Sequence, residues 1–259
     1  MERTVTIDSN GLSLFGIIHT PETNSPGPAV LMLHGLGGTH IESHFIYTKT
    51  ARALASRGIT ALRFDFRGSG NSQGDFMNTT PQGEIDDANA ALDFLMSQPE
   101  VDRSRIGVLG LSMGGFVAAC LAGQRQEVKA LVLWSAVANM GELLDSNTDD
   151  MRLAQLQSSG YVDLGGIPLS REFIEQAHQI IPEQQIKQYK GPALVIHGSN
   201  DETVPVEHAY RFKNALGDQA RLMIVDGADH VFSSLEWERA VINETVNWFK
   251  TLDTAPVAR

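Results

Sequence analysis

The sequence predicts an α/β fold in which a mostly parallel sheet of about eight strands carries helices on both faces. Short aliphatic runs, which are typical of strands buried on both faces, recur along the chain. Between them lie segments with apolar residues at helical spacing, and such alternation requires crossover connections and therefore parallel strands. The length of 259 residues suits one large domain, or one domain with an insertion.

The first half of the chain opens with alternating apolar and polar residues on either side of Ser9-Asn10-Gly11, which predicts a hairpin whose turn tolerates positive φ. Strands and helices then alternate, and Gly58 ends the first of these helices. The predicted strands are 28–34, 59–64, 105–110 and 129–135, and the predicted helices are 46–57, 82–97 and 113–124.

The second half resumes the alternation with strands at 192–198 and 221–226 and helices near 206–215 and 236–251. Residues 136–190 separate two buried strands by more than 50 residues, and connections of that length carry structure or function of their own. Helices are predicted inside this stretch at 171–180 and 182–188. We therefore predict a core formed by 1–135 and 191–259 and a small lid inserted at 136–190.

Composition excludes several classes of function. A formal net charge of −11 at pH 7 opposes binding to nucleic acid, whose phosphates favour basic surfaces. Cys120 is the one cysteine, so no intramolecular disulfide forms, and no apolar run approaches the roughly 18 residues that a membrane span needs. We expect a cytoplasmic protein without nucleic-acid or membrane partners, which acts on a small molecule and is compatible with a homodimer.

The nucleophile is predicted at Ser112, in the sequence Gly110-Leu111-Ser112-Met113-Gly114. The G-x-S-x-G pattern is unspecific alone, but here an apolar strand precedes it and a helix-forming run follows. A serine at such a sharp turn is held in a strained conformation with its oxygen projecting from the sheet. The helix N-terminus adds free N–H groups and a positive dipole beside a developing oxyanion.

A serine hydroxyl needs a base, and the base needs a third group that fixes its tautomer. PALVIHGSND ends in Asp201 and RLMIVDGADH ends in His230, each just past the carboxyl end of a predicted strand. The order Ser, Asp, His is the one that this strand–turn–helix motif requires. His197 is interpreted as a buried, hydrogen-bonded histidine, and Asp65 as a brace for the loop that follows it.

The glycine-rich turn in LMLHGLGG (31–38) is predicted to complete an oxyanion hole. Its Leu36 N–H would act together with the N–H of Met113. A phosphate-binding loop is disfavoured because the spacing is not G-x-G-x-x-G and no P-loop lysine follows. Metal-binding patterns such as C-x-x-C and H-E-x-x-H are missing from the sequence, so we expect neither a metal nor a cofactor.

Taken together, the motifs resemble those of the bacterial α/β-hydrolase carboxylesterases, and within them most of all the cinnamoyl (feruloyl) esterase group. The resemblance covers about 1–135 and 190–252, and its motifs are HGLGG (34–38), RFDFRGSGNSQGDF (63–76), GLSMGG (110–115), HGSND (197–201) and GADH (227–230). It implies the α/β-hydrolase fold with Ser112 as nucleophile, His230 as base and Asp201 as the group that orients it.

The resemblance also implies that 136–190 covers an acyl pocket. Its candidate polar contacts to substrate are Glu142, Asp145, Gln157, Tyr161 and Asp163. Its candidate apolar wall residues are Met140, Leu143, Leu144, Leu153, Leu156, Ile167 and Phe173.

The function expected from these residues is hydrolysis of a carboxylic ester, with a small acyl or hydroxycinnamoyl group, through an acyl-enzyme intermediate. A thioesterase and an acyltransferase use the same triad and stay open as alternatives. A peptidase relative would usually carry a further N-terminal domain. A hydrolase-fold protein that binds a ligand without turnover is disfavoured by the complete triad.

Overall fold

An eight-stranded sheet runs through the described residues, 1–22, 25–146 and 149–254, of the computed structural model. The strands of these residues are β1 (Glu2–Ser9), β2 (Leu12–His19), β3 (Gly27–Leu33), β4 (Thr60–Phe64), β5 (Val101–Leu111), β6 (Val128–Trp134), β7 (Tyr161–Asp163), β8 (Pro168–Ser170), β9 (Ala193–Gly198) and β10 (Ala220–Val225). The sheet order is β1-β2-β4-β3-β5-β6-β9-β10, while β7 and β8 pair separately. Within the eight-stranded sheet, β2 is antiparallel to β1 and β4 and the other pairings are parallel, while β7 and β8 pair antiparallel.

The hairpin turns where the sequence predicts it, because Asn10 and Gly11 both adopt left-handed φ values of 53° and 84°. The central strands are buried on both faces. In β3, Leu31 and Leu33 pack into the core on one face of the sheet, and Val30 and Met32 pack into the core on the other. This two-sided burial explains why the strands appear in the sequence as continuous apolar runs.

Helices cover both faces. The helices of the described residues are α1 (Ile46–Ala55), α2 (Pro81–Ser97), α3 (Met113–Gln124), α4 (Met140–Ser146), α5 (Asp150–Ser159), α6 (Arg171–Gln179), α7 (Pro182–Gln185), α8 (Glu207–Leu216) and α9 (Leu235–Phe249). Helices α2, α3 and α8 contribute to the core on one face, and α1 and α9 to the core on the other. The predicted fold, a mostly parallel eight-stranded sheet between two helical layers, is confirmed.

Residues 136–190 lie between β6 and β9 and add no strand to the eight-stranded sheet within the described residues; we call them the insertion. The sequence predicts its last two helices, which the structure forms as α6 and as α7 with a 3₁₀ turn. It does not predict α4, α5 or the β7–β8 pair. Helix α5 buries none of its side chains, so its sequence lacks the apolar periodicity that marks a core helix.

The last five residues of the predicted core range, 255–259, lie outside the described residues. Among the described residues, every helix is too short or too polar to cross a membrane.

Candidate active site

Ser112 occupies the sharp turn between β5 and α3. Its backbone adopts φ 56° and ψ −118°, a combination that a residue with a side chain rarely holds unless the surroundings enforce it. The strand and helix approach so closely that a Cβ at Gly114 would overlap the carbonyl oxygen of Leu33. A Cβ at Gly110 would in turn overlap the carbonyl of Gly114. The two glycines are therefore what allows this turn to close.

Asp201 and His230 lie on the loops after β9 and β10 and meet at hydrogen-bond distance. Nδ1 of His230 lies 2.7 Å from Oδ2 of Asp201. The other carboxylate oxygen, Oδ1, accepts the backbone N–H groups of Thr203 at 2.9 Å and Val204 at 2.8 Å. Since a carboxylate only accepts, Nδ1 of His230 carries the proton and Nε2 is left as the acceptor nitrogen of the neutral ring.

Asp201 is held in its charged form. Burial by itself would raise the pKa of this carboxyl, but the hydrogen bonds from His197 and His230 outweigh the burial, and the pKa ends well below its usual range. The anion therefore persists beside His230 across the neutral pH range.

His197 also contacts the carboxylate. Its Nε2 lies 2.8 Å from the carbonyl oxygen of Val204 and 3.1 Å from Oδ2 of Asp201. The sequence indicates a buried, hydrogen-bonded histidine here, and the structure agrees. The contact with Asp201 was not predicted, although the spacing of four residues in HGSND was a signal that could have suggested it.

The glycine-rich turn after β3 is fixed through Gly35. The N–H of Gly35 donates to Oε1 of Glu42 at 2.6 Å, and its carbonyl accepts from Nδ1 of His34 at 2.8 Å. Nε2 of His34 accepts the N–H of Phe66 at 3.0 Å, which settles the tautomer with the proton on Nδ1. Glu42 was not foreseen, because only the folding back of residues 39–45 brings its carboxylate to Gly35.

The turn lies against Ser112. A Cβ at Gly35 would lie 3.3 Å from Cβ of Ser112, so the two backbones approach closely. Leu36 lines the same cavity as Ser112. Met113 is the first residue of α3, so its N–H belongs to the group that has no acceptor within its helix.

Residues 42–45 are strained. Glu42, His44 and Phe45 all have left-handed φ values, of 59°, 42° and 67°. The His44 ring connects this loop to the loop of His230, since its Nε2 lies 2.8 Å from the carbonyl of Val231 and its Nδ1 lies 2.6 Å from a carboxylate oxygen of Glu238. Strain of this kind persists where surrounding contacts enforce it, and it collects at functional sites.

Asp65, at the end of β4, braces the following loop as the sequence suggests. Its carboxylate accepts the backbone N–H of His40 at 2.6 Å and of Asn71 at 2.9 Å. It therefore takes no part in the His230 arrangement.

Ser112 and His230 line a cavity of about 470 Å³, a volume within the range of small-molecule sites. Of the eighteen described residues that line it, twelve are Leu, Ile, Val or Met, and none is Phe, Tyr or Trp. Five of the expected wall residues line it: Met140, Leu143, Leu144, Leu153 and Leu156. Ile167 and Phe173 do not, because Ile167 packs over Gly37 of the glycine-rich turn and Phe173 is buried in the core.

Of the five expected polar contacts, the structure places one in the cavity lining and four outside it. Asp145 lines the cavity and lies 3.0 Å from Nε2 of His178. Glu142 does not line it, because its carboxylate pairs with Arg211 of α8 at 2.5 Å.

The other three expected contacts, Gln157, Tyr161 and Asp163, are also not among the lining residues. Gln157 and Asp163 are exposed, and Tyr161 is half-buried in β7. Among the described residues, the polar lining besides Ser112, His230 and Asp145 consists of Arg152, Glu202 and Thr203. In the described ranges, no three His, Cys, Asp or Glu side chains lie close enough together to hold a metal ion.

Comparisons with known proteins identify a family and several relatives. A model of the prolyl oligopeptidase family matches residues 43–253. An uncharacterized protein of Mycobacterium tuberculosis is 31% identical over 229 residues, which cover 88% of this chain and 72% of that protein. Acylamino-acid-releasing enzyme 2 of Oryza sativa is 25% identical over 253 residues, 94% of this chain but 32% of the enzyme. The chain thus spans about a third of that relative.

Among solved structures, Est1E from Butyrivibrio proteoclasticus with ferulic acid bound superposes with a TM-score of 0.85 at 24% identity, covering 97% of this chain and all of that one. At this identity the likeness establishes the fold alone.

Proposed function

The chain belongs to the prolyl oligopeptidase family of serine hydrolases, and from that premise we propose that it is a carboxylic ester hydrolase acting through Ser112, His230 and Asp201. One observation carries the proposal. A strained serine and a histidine hydrogen-bonded to a buried carboxylate line the same apolar cavity. An acyl group with an apolar tail can occupy the cavity while its carbonyl carbon reaches Ser112.

In the first step Oγ of Ser112 attacks the ester carbonyl as Nε2 of His230 takes the hydroxyl proton. The hydrogen bond from Nδ1 to Asp201 fixes the tautomer that leaves Nε2 basic, and the carboxylate stabilises the imidazolium that forms. His230 then gives the proton to the leaving alcohol oxygen as the carbon–oxygen bond breaks, and an acyl-enzyme results.

The oxyanion formed in this step is held by the N–H groups of Leu36 and Met113. Both lie beside Ser112, one on the glycine-rich turn and one at the start of α3, where the helix dipole adds positive potential. His34 and Glu42 support the arrangement by fixing Gly35, the residue before Leu36.

In the second step water attacks the acyl-enzyme. His230 accepts a proton from the water and returns it to Oγ of Ser112 as the acid leaves. Each proton is carried by the same imidazole, so the residues of this chain suffice for the cycle.

The insertion acts as a lid that selects the acyl group. Besides Asp145 and Arg152, the cavity walls supplied by α4 and α5 are Met or Leu side chains, which supports a small or medium saturated acyl group. Hydroxycinnamoyl esters are the second candidate substrates, because the structurally similar Est1E has been solved with ferulic acid bound. The cavity lining argues against this candidate. Among the described residues that form it there is no Phe, Tyr or Trp, and Gln157 does not line it either.

Peptide hydrolysis is a further candidate because the relatives include acylamino-acid-releasing enzymes. The cytoplasmic location and the homodimer remain predictions.

A substrate panel tests the proposal. We expect p-nitrophenyl esters to be hydrolysed fastest, butyrate or hexanoate ahead of acetate, with methyl ferulate slower and N-acetyl-alanyl p-nitroanilide slowest. Ser112→Ala should abolish every activity while leaving the circular dichroism spectrum unchanged. Faster turnover of the anilide than of the esters would establish a peptidase instead.

A further inference from the structure

We infer that His197 is a positioning residue of the catalytic machinery, because its Nε2–H holds the Asp201 carboxylate in the orientation that His230 requires. The inference rests on the proposed function, since it assigns His197 a role within the triad of Ser112, His230 and Asp201.

The contact is enclosed. Both the His197 and the Asp201 side chains are fully buried, and the Nε2 to Oδ2 distance is 3.1 Å. The same Nε2 lies 2.8 Å from the Val204 carbonyl, which accepts its direct hydrogen bond, and Oδ2 of Asp201 is the second and longer contact of this nitrogen. In a buried site the low dielectric strengthens electrostatic interactions, so even the longer of two such contacts stabilises the carboxylate.

The protonation state follows from the opposite side of the ring. Nδ1 of His197 is buried and has no hydrogen-bond partner among the described residues. An imidazolium would bury an N–H there without an acceptor, which is costly, so the ring is neutral with its proton on Nε2. His197 is therefore a donor to Asp201. Among the described residues, the Val204 carbonyl is the other acceptor of its Nε2–H.

The four donors divide evenly over the carboxylate. Oδ1 takes the N–H groups of Thr203 and Val204, while Oδ2 takes Nδ1–H of His230 and lies 3.1 Å from Nε2 of His197. Without His197, Oδ2 has one donor fewer. The carboxylate is then less firmly oriented. Because fewer donors offset its negative charge, it also stabilises the His230 imidazolium more strongly.

Two consequences are measurable. Looser orientation lowers kcat, and stronger binding of the imidazolium proton moves the acidic limb of the kcat/KM profile to higher pH. A role limited to anchoring the turn through the Val204 carbonyl would lower thermal stability but would not move that limb.

The experiment compares wild type, His197→Leu and His197→Gln with p-nitrophenyl butyrate between pH 5 and 9. The leucine variant removes the donor, while the glutamine amide nitrogen can take the place of Nε2. For His197→Leu we expect about a tenfold fall in kcat, little change in KM, and an upward shift of the acidic limb of about half a pH unit or more. His197→Gln should recover most of both.

His19→Gln is the matched control. His19 is also a buried histidine, in β2, and its Nε2 accepts a hydrogen bond from Arg63 at 2.9 Å, away from the triad. This variant can lose stability but should keep the wild-type pH profile.

A readout without turnover keeps the inference independent of the proposed function. The Nδ1 proton of His230, observed by NMR in histidine-labelled protein, should move in His197→Leu and stay near its wild-type position in His197→Gln and His19→Gln. If His197→Leu folds and shifts neither this resonance nor the acidic limb, the inference is overturned. If it does not fold, equal losses in His197→Gln and His197→Asn overturn it, because the shorter asparagine amide cannot reach Oδ2. Inactive wild-type protein, by contrast, would refute the proposed function.

Discussion

Glu84, in the first turn of α2, leads to a quantitative prediction about stability. Its side chain is buried, and Oε2 has no hydrogen-bond partner among the described residues. One turn later the buried Asp87 carboxylate pairs with Arg67 at 2.7 Å. The Arg67 guanidinium is therefore paired with Asp87 and not with Glu84. Burial, followed by repulsion from Asp87, raises the pKa of Glu84 from 4.5 to about 8.

The sign and size of the effect follow from this pKa. Well below pH 4.5 Glu84 is protonated whether the chain is folded or unfolded, so it does not lower the free energy of unfolding. Between pH 4.5 and about 8 only the unfolded chain releases the proton, so the free energy of unfolding falls as pH rises. At about 1.4 kcal/mol per pKa unit, the loss reaches at most about 5 kcal/mol and levels off at higher pH.

Glu84→Gln removes the ionisation and should remove the loss. We expect similar urea-unfolding free energies for variant and wild type near pH 5, and a variant that is more stable by about 3–5 kcal/mol near pH 9. Glu175→Gln, an exposed carboxylate on α6, is the control and should follow the wild-type curve. Parallel curves for wild type and Glu84→Gln across this range would refute the reasoning.

Three further predictions concern the site. Asp201→Asn should lower kcat by about 10⁴-fold, because an amide can donate to His230 and favour the wrong tautomer; steady-state kinetics would check this, and a loss below tenfold would contradict it. Gly114→Ala should lower the thermal midpoint and abolish turnover together, since its Cβ would overlap a carbonyl at the end of β3; a variant with wild-type stability would show that the turn is looser than described. Asp145→Ala should change the ranking of esters while Tyr161→Phe should not, because Asp145 lines the cavity and Tyr161 does not. A panel of esters differing in acyl group would decide, and equal effects of the two substitutions would contradict the assignment.

The sheet, and the places of Ser112, Asp201 and His230 in the fold, could be predicted because their signals are local. A strand buried on both faces must be apolar along its whole length, as β3 is, and a serine at a strand-to-helix turn needs small neighbours such as Gly110 and Gly114. The positions of Asp201 and His230 follow from the ends of parallel strands, which meet at one edge of the sheet.

The contacts within the insertion could not be predicted, because they depend on packing between distant segments. Glu142 is held by Arg211, 69 residues away in the chain, and so does not reach the cavity. Helix α5 has no buried side chain, so the sequence did not reveal which of its residues face the cavity. Leu153 and Leu156 do, and Gln157 does not.

The positioning contacts were equally hidden. Glu42 reaches Gly35 only because the backbone at Glu42, His44 and Phe45 adopts strained left-handed conformations, which residue type does not indicate. The sequence indicates correctly that His197 is buried, but its distance to Asp201 depends on the turn through residues 201–204.

Covalent labelling of the nucleophile tests the central claim most directly. Wild-type protein treated with a fluorophosphonate should gain one adduct, and peptide mass spectrometry should place it on Ser112. Ser112→Ala should gain none, and His230→Ala should react far more slowly, because Oγ then lacks its base. An adduct on another residue, or undiminished labelling of Ser112→Ala, would contradict the assignment of Ser112 as nucleophile.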